Sequence, residues 1–172
     1  RDDEGVPTRK NSLIEQGRLV GSLWSTRDAA QQIAEGRIDI ATSTGSAIRS
    51  GHPSPPVSGC SNLFLTSSQK GRSYEEMLEM IEDGYIVNSV MGAHTANPTS
   101  GDFSVTTSSI LRVEGGEVIG AVKQAGLSGN LANALKDGVT LGDEVRPQGS
   151  YSSGSMYLPN VLLRNGLRVN PV

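Results

Sequence analysis

Three short segments of this chain alternate apolar and polar residues on both sides of a turn that contains glycine. They are SLIEQGRLVGSLW (12–24), ILRVEGGEVIGAV (110–122) and NVLLRNGLRV (160–169), with predicted turns at Gln16-Gly17, Gly115-Gly116 and Asn165-Gly166. Glycine readily adopts the positive φ that such turns need, and Asn-Gly is the strongest short hairpin signal. The pattern predicts three β-hairpins, and therefore a chain dominated by antiparallel strands.

Two segments show the periodicity and the end signals of short helices. Thr26 to Glu35 has one apolar face, and Gly36 follows it as a stop. The residues of that face are Ala29, Ala30, Ile33 and Ala34. A shorter helix is predicted between Asn130 as its cap and Gly138 as its stop. Its residues predicted to face inward are Leu131, Ala134 and Leu135.

The strongest helix pattern runs from Ser73 to Asp83. Ser73 and Glu76 have the spacing of a capping box, and Gly84 is predicted to end the helix. The residues that recur at helical spacing are Tyr74, Met77, Leu78 and Ile81. With the hairpins, these helices predict a β-rich α+β fold: a single domain over 1–172, with antiparallel sheets built from several hairpins and about three short helices.

Composition and charge exclude several classes of protein. The net charge is −3 and the Lys and Arg residues are scattered, whereas a nucleic-acid-binding face usually shows a basic cluster. No apolar run approaches the roughly 20 residues of a membrane span. The single Cys60 excludes an internal disulfide framework and is compatible with a reducing cytoplasm, where we expect the protein. The chain begins at Arg1 rather than Met, so we expect it to be a piece of a longer protein.

Residues that could bind a metal or act as a nucleophile are sparse. His52, Cys60 and His94 are far apart in sequence and lack the spacings of a zinc site, so we expect them to be two loop residues and a small buried thiol. No G-x-S-x-G elbow marks a serine nucleophile. We therefore predict no metal site and no cofactor in this chain.

Acidic residues occur in two places of interest. Asp2, Asp3 and Glu4 form a terminal charge run, which is usually solvated surface, although it could orient a partner's cation. Asp102 follows Ser100-Gly101 and precedes a strand pattern, so a turn-capping role is favoured over a functional one.

Two loops of small residues are candidates for binding a peptide. Backbone approaches a ligand closely where side chains are absent or small, and an arginine can pair with a carboxylate. The loop between Gly92 and Gly101 could instead be a tight connection between strands, and the loop over 41–49 could equally be a plain surface loop. The candidate peptide-binding residues are Gly92, Ala93, His94, Thr95, Gly45 and Arg49.

Several of these segments, taken in order, resemble the C-terminal half of the TldD/PmbA family, whose members are also called modulators of DNA gyrase. The matching segments include the hairpin that ends near Trp24 and the helix from Ser73. The others are RDDEGVPT (1–8), TGSAIR (44–49), MG (91–92), SGDFS (100–104), GNL (129–131) and SSGSMYLPNVLL (152–163).

The resemblance implies a peptidase that acts on unfolded or extended peptides. In the catalytic type, an HExxxH helix of an N-terminal domain holds zinc together with a cysteine of the C-terminal domain. Ser153 stands where that cysteine is expected, and a serine hydroxyl is a far poorer zinc ligand than a thiolate. The chain is therefore more similar to the PmbA-like (TldE-like) type, a non-metal-binding partner.

Three functional hypotheses are open: the first two rest on this resemblance, and in the third the resemblance is accidental. The first is the C-terminal domain of a PmbA-like subunit that forms a homo- or heterodimer with a TldD/PmbA-like subunit. Zinc would then lie in the catalytic partner, unfolded peptide would be the substrate, and neither nucleic acid nor membrane would be a partner. The second is a self-sufficient peptidase with unusual ligands, and the third is a β-rich interaction module without a peptidase role.

Overall fold

The computed structural model describes residues 1–67, 69–136, 138–148 and 155–171. The chain divides into two compact units. Unit 1 comprises Arg1–Ser68 and Arg146–Leu158, and unit 2 comprises Gln69–Val145 and Pro159–Val172.

The helices and strands confirm the α+β class and the predominance of strands. The helices are α1 (Thr26–Ala34), α2 (Tyr74–Glu79) and α3 (Leu131–Lys136), with a 3-10 turn at Ala93–Thr95. The strands are β1 (Ile14–Glu15), β2 (Arg18–Leu19), β3 (Ala47–Ile48), β4 (Val57–Ser58), β5 (Asn62–Phe64), β6 (Asp83–Met91), β7 (Asp102–Glu114), β8 (Glu117–Val122), β9 (Ala125–Asn130), β10 (Val139–Gln148), β11 (Ser155–Leu163) and β12 (Leu167–Pro171). No helix among the described residues is long and apolar enough to cross a membrane.

A five-stranded antiparallel sheet forms the body of unit 2. Its strand order is β12-β9-β7-β6, and β8 also pairs with β7. The long strand β7 makes this possible, because its first half pairs with β9 and its second half with β8 along the same edge. The apolar side chains buried in this sheet are Val105, Ile110, Val113, Ala125 and Leu127.

Unit 1 contains much shorter ladders. The hairpins β1–β2 and β3–β4 have two residues in each strand. A third sheet has the order β10-β11-β5, and its β11–β5 pair is parallel. Strands β10 and β11 contribute residues to both units.

Two of the three predicted hairpins are confirmed. Gln16-Gly17 joins β1 to β2 and Gly115-Gly116 joins β7 to β8, and all four turn residues have positive φ. The third prediction is wrong, because β11 pairs in one sheet and β12 pairs with β9 in another. Gly166 does turn the chain, but its backbone packs against α3: a Cβ there would lie 2.7 Å from the Cα of Ala134.

Helix α1 follows the prediction in its bounds and differs in its buried face. Ser25 caps it by accepting the backbone N–H of Asp28 at 3.0 Å, and Gly36 follows with φ of 66°. Ala29 is the only residue of the predicted apolar face that is buried, whereas Ile33 is exposed. The reason is that the helix is attached through its first turn, where Glu4 accepts both the N–H and the hydroxyl of Thr26.

Helix α2 has the predicted capping box and ends earlier than predicted. The hydroxyl of Ser73 and the carboxylate of Glu76 each accept the other residue's N–H. The helix ends at Glu79, and the carbonyls of Ile81 and Glu82 that follow it accept bonds from the Gly115-Gly116 turn. Gly84 therefore lies in β6 rather than at a helix end. Of the predicted apolar stripe, Met77 is buried, Leu78 and Ile81 are half-buried, and Tyr74 is exposed.

Helix α3 is capped as predicted, since the side chain of Asn130 accepts the N–H of Asn133 at 3.0 Å. Ala134 is fully buried, but Leu131 and Leu135 are exposed, which contradicts their predicted inward orientation. The close approach of Gly166 leaves room for only the small side chain of Ala134 on the packed face.

Candidate functional site

Strand β6 presents an open, uncharged edge, which we call the β6 edge. Within the part of the chain that the structure describes, β6 pairs on one side only, with β7. Residues 86–91, which read IVNSVM, carry no charged side chain. Val87 and Val90 are 37% exposed and Met91 is 54% exposed. Unpaired N–H and C=O groups beside exposed apolar side chains form a template for another extended chain.

This strand was not predicted from the sequence. Residues 73–83 were predicted to be helical and a loop was expected between Gly92 and Gly101, with no element assigned to the residues between them. The signal that could have revealed it is the run Tyr85-Ile86-Val87, because aromatic and β-branched residues favour strands.

The predicted loop Gly92–Thr95 forms a tight turn directly after the β6 edge. Gly92 has φ of 88°, a left-handed conformation that favours glycine. The backbone N–H and the hydroxyl of Thr95 both donate to the carbonyl of Gly92, at 2.9 and 2.8 Å. These bonds fix the turn and leave Ala93 and His94 exposed at the end of the strand.

The loop after this turn is held by amide side chains. The side-chain oxygen of Asn97 accepts the N–H groups of Thr99 and Ser100 at 2.9 and 3.2 Å. The side-chain nitrogen of Asn130 donates to the carbonyl of Ser100 and to the carboxylate of Asp102, at 2.8 and 2.7 Å. The Asn130 amide, helped by the Ser100 hydroxyl, lowers the pKa of Asp102. The carboxylate of Asp102 thus takes part in the hydrogen bonds that fix this loop, which agrees with the predicted turn-capping role.

The N-terminal acidic residues make specific bonds to backbone, although Asp3 is exposed, as predicted for a solvated charge run. Asp2 accepts the N–H groups of Glu4, Val6 and Ala47 at 3.1, 2.8 and 3.0 Å. Asp3 accepts the N–H of Arg49 at 2.7 Å. Carboxylates accepting backbone N–H bonds attach the N-terminal turn to β3 and the residue that follows it.

The candidate residues Gly45 and Arg49 lie in unit 1, whereas Gly92–Thr95 lies in unit 2. Gly45 is buried with φ of 68°, and a Cβ there would lie 2.2 Å from the carbonyl oxygen of Pro7. The backbone that approaches Gly45 closely is thus that of Pro7 in the same chain. The side chain of Arg49 is exposed, and its contact with a peptide carboxylate stays a prediction.

The residues considered as metal ligands are dispersed in the structure. Within residues 1–67, 69–136, 138–148 and 155–171, no group of three or more His, Cys, Asp or Glu side chains is arranged to hold a metal ion. His52 and His94 are exposed, and the free thiol of Cys60 is half-buried. Ser153 lies outside the described residues.

Comparison with known proteins gives a consistent result. Residues 1–168 match the family model of the PmbA/TldA metallopeptidase C-terminal domain. The chain is 30% identical over 162 residues to an uncharacterized protein of Methanocaldococcus jannaschii, covering 94% of this chain and 35% of that protein. It is 28% identical over 160 residues to the metalloprotease PmbA of Escherichia coli O157:H7, covering 93% of this chain and 31% of that protein.

A solved structure shows the same fold. The structure of TldE from Thermococcus kodakarensis superposes with a TM-score of 0.80 at 30% identity, covering 98% of this chain and 35% of that one. The chain thus spans about a third of the length of these relatives.

Proposed function

The chain belongs to the TldD/PmbA family as its C-terminal domain, and we propose that it is part of a PmbA-like, non-catalytic subunit of a peptidase complex that degrades or matures unfolded peptides. In this proposal the subunit pairs with a TldD/PmbA-like partner that carries the zinc. The domain contributes the β6 edge, to which an extended peptide adds as a further strand. The Gly92–Thr95 turn borders the end of that strand.

The open β6 edge is the observation that carries this proposal. Strand addition obtains its affinity from main-chain hydrogen bonds and therefore accepts many sequences, as a peptidase for unfolded chains requires. Edge strands are commonly protected by lysine, proline, short length or bulges; β6 has nine residues, no charge between 86 and 91, and register shifts confined to Val87–Val90. The assignment to the non-catalytic type is supported by Ser153 in the position of the expected cysteine ligand and by the likeness to a TldE structure.

Two proline variants test the strand addition. Val90 and Met91 pair with Thr107 and Thr106 directly after the register shift between Ser89 and Val90, so the N–H of one points to β7 and that of the other points outward. Val90→Pro and Met91→Pro should therefore differ: one destabilises the sheet, and the other retains stability but weakens binding of an unfolded peptide about tenfold or more. Binding is measured by fluorescence anisotropy of a labelled peptide, and stability by urea unfolding.

A chemically matched ligand provides the control for this experiment. The same peptide with N-methyl groups at alternate residues loses main-chain donors while keeping its side chains, so it should bind more weakly to the wild-type chain. If both proline variants and the N-methylated peptide bind as well as the originals, the peptide does not add to this edge.

The non-catalytic role is tested separately on the full-length protein. Peptidase activity should require a TldD-like subunit from the same organism, and the full-length protein purified alone should contain well under one zinc per chain. Stoichiometric zinc together with activity of the protein alone would instead support the self-sufficient peptidase.

A further inference from the structure

Unit 1 contains a cleft of about 410 Å³ that the β6 edge does not involve. We call it the Trp24 cleft; it is lined by residues 9–12, 21, 22, 24, 38, 40–42 and 44. Arg9 and Lys10 supply two positive charges, and Trp24, Ile38 and Ile40 supply apolar surface. Within the described part of the chain, no carboxylate lines it. Such a lining, which is mainly polar with a smaller apolar part, is complementary to an anionic group that has an apolar neighbour.

The walls of the Trp24 cleft are fixed to one another by hydrogen bonds. The N–H and C=O of Trp24 bond to the hydroxyl and the N–H of Thr44, at 2.8 and 2.9 Å. The side-chain amide of Asn11 donates to the carbonyl of Thr44 at 3.1 Å. One guanidinium nitrogen of Arg9 donates to the carbonyl of Ser43 at 2.7 Å. The three segments are thereby held in place before any ligand arrives, which lowers the entropic cost of binding.

We propose that the Trp24 cleft binds a carboxylate next to an apolar side chain, which is the chemistry of the C-terminal residue of a peptide. A guanidinium has five N–H donors in a fixed fork, so Arg9 retains donors for a carboxylate after its bond to Ser43. Lys10 adds a second charge, and Ile38 and Ile40 provide apolar contact for the neighbouring side chain. The choice of a peptide as ligand rests on the proposed function, whereas the site is separate from the β6 edge.

Trp24 provides a local reporter, because it is the only tryptophan of the 172-residue chain. The chain is titrated with acetyl-Ala-Ala-Leu as the free acid, with the same peptide as its C-terminal amide, and with the amide of acetyl-Ala-Glu-Leu. The free acid should change the Trp24 emission saturably, and the first amide should bind about tenfold more weakly. The amide of acetyl-Ala-Glu-Leu carries its carboxylate on a side chain rather than at the C-terminus. It should bind more weakly than the free acid of acetyl-Ala-Ala-Leu. Equal binding of the acid and both amides, or no saturable change with any of them, would overturn the proposal.

Variants assign the effect to the cleft. The double variant Arg9→Gln, Lys10→Gln should bind the free acid about tenfold more weakly or worse, whereas Arg168→Gln, which removes a cation on β12 in unit 2, should bind it as the wild type does. Unchanged affinity of the double variant would refute the proposed site.

Since the acid-to-amide comparison uses the wild-type chain, it remains decisive if the double variant does not fold. The proline variant that retains stability should leave the Trp24 signal intact, so failure of the strand addition and failure of the cleft give different results.

Discussion

The two units are stabilised by different kinds of interaction. Unit 2 has a five-stranded sheet in which Ile110 and Val113 are almost completely buried along the long strand β7. Unit 1 has hairpins of two residues per strand, and it is fixed by carboxylate and amide side chains that accept or donate bonds to backbone. Asp2 alone accepts three backbone N–H groups.

This contrast shows how the chain folds with only 4% aromatic residues. Apolar burial scales with the area removed from water, and a long strand flanked on both sides provides that area. Where the ladders are too short to do so, directional bonds from charged groups hold the segments together, and such bonds are sensitive to pH. Unit 2 should therefore respond most to cavities and unit 1 to loss of carboxylates.

The largest effect is expected from a cavity in the sheet of unit 2. Ile110 is 2% exposed, so Ile110→Ala should lower the free energy of unfolding by about 2–5 kcal/mol through lost burial and the cavity left behind. Urea unfolding followed by circular dichroism measures the change. Ile119→Ala is the matched control: Ile119 lies on β8, is 59% exposed, and should change stability by less than about 0.5 kcal/mol. Equal effects of the two changes would mean that β7 is not the core of this sheet.

The next largest effect is expected from the principal carboxylate of unit 1. Asp2→Ala leaves three backbone donors without their acceptor and should cost on the order of 1–3 kcal/mol. Hydrogen exchange resolves the location of the change, which should include the N–H of Ala47. Asp39→Ala, on an exposed residue of the same unit, should be close to neutral. If both variants behave alike, the bonds of Asp2 add nothing to stability.

The sequence predicted those elements whose signal is local. The turns at Gln16-Gly17 and Gly115-Gly116 and the capping box of Ser73 and Glu76 each depend on residues a few positions apart. The β6 edge was missed because helix periodicity extends to Ile81, whereas the bonding partners of the following residues are distant: Ile81 and Glu82 accept bonds from the Gly115-Gly116 turn, and β6 pairs with β7. Such competition between segments far apart in sequence is invisible in a local pattern.

The candidate site was predictable only in part, for the same reason. The need for glycine at Gly92 follows from the loop itself. The roles of Asp2 and Asp3 do not, because their acceptor bonds reach the backbone of Ala47 and Arg49, more than forty residues away. A terminal acidic run is usually solvated, so its composition pointed away from the structural role it has here.

Acid should reveal the same contrast through the pKa values of two carboxylates. Burial tends to raise the pKa of Asp2, but bonds from the N–H groups of Ala47, Val6 and Glu4 outweigh it and hold the pKa below its ordinary value. The hydroxyls of Ser58 and Ser25 lower the pKa of Asp28 in the same way. Since the folded state binds protons more weakly than the unfolded chain, this stabilisation is present above the unfolded pKa and is lost as the pH falls through the folded values.

The pH experiment compares unfolding free energies from about pH 6 to about pH 2.5. The wild type should lose stability below about pH 4, and the difference between wild type and Asp2→Ala should shrink there as Asp2 becomes protonated. The difference between wild type and Ile110→Ala should stay nearly constant, because no charge is involved. A difference between wild type and Asp2→Ala that does not depend on pH would show that the variant acts through packing rather than through the carboxylate.

The smallest effect is expected at the β1–β2 turn, where Gln16 has φ of 50° without being glycine. Asparagine tolerates this conformation better than glutamine, so Gln16→Asn should stabilise the hairpin by roughly 0.5 kcal/mol. Ile14 and Leu19 are 67% and 77% exposed, which makes the hairpin nearly independent of the buried core. The gain should therefore appear as slower amide exchange of Val20, whose N–H donates to the carbonyl of Leu13 at 2.9 Å, with little change in global unfolding.

Gly115→Asn is the counterpart in unit 2, at a φ of 56° with open space around it, and should bring no such gain because glycine already fits there. A shift in global stability above about 1 kcal/mol for Gln16→Asn would show that this hairpin is coupled to the core after all.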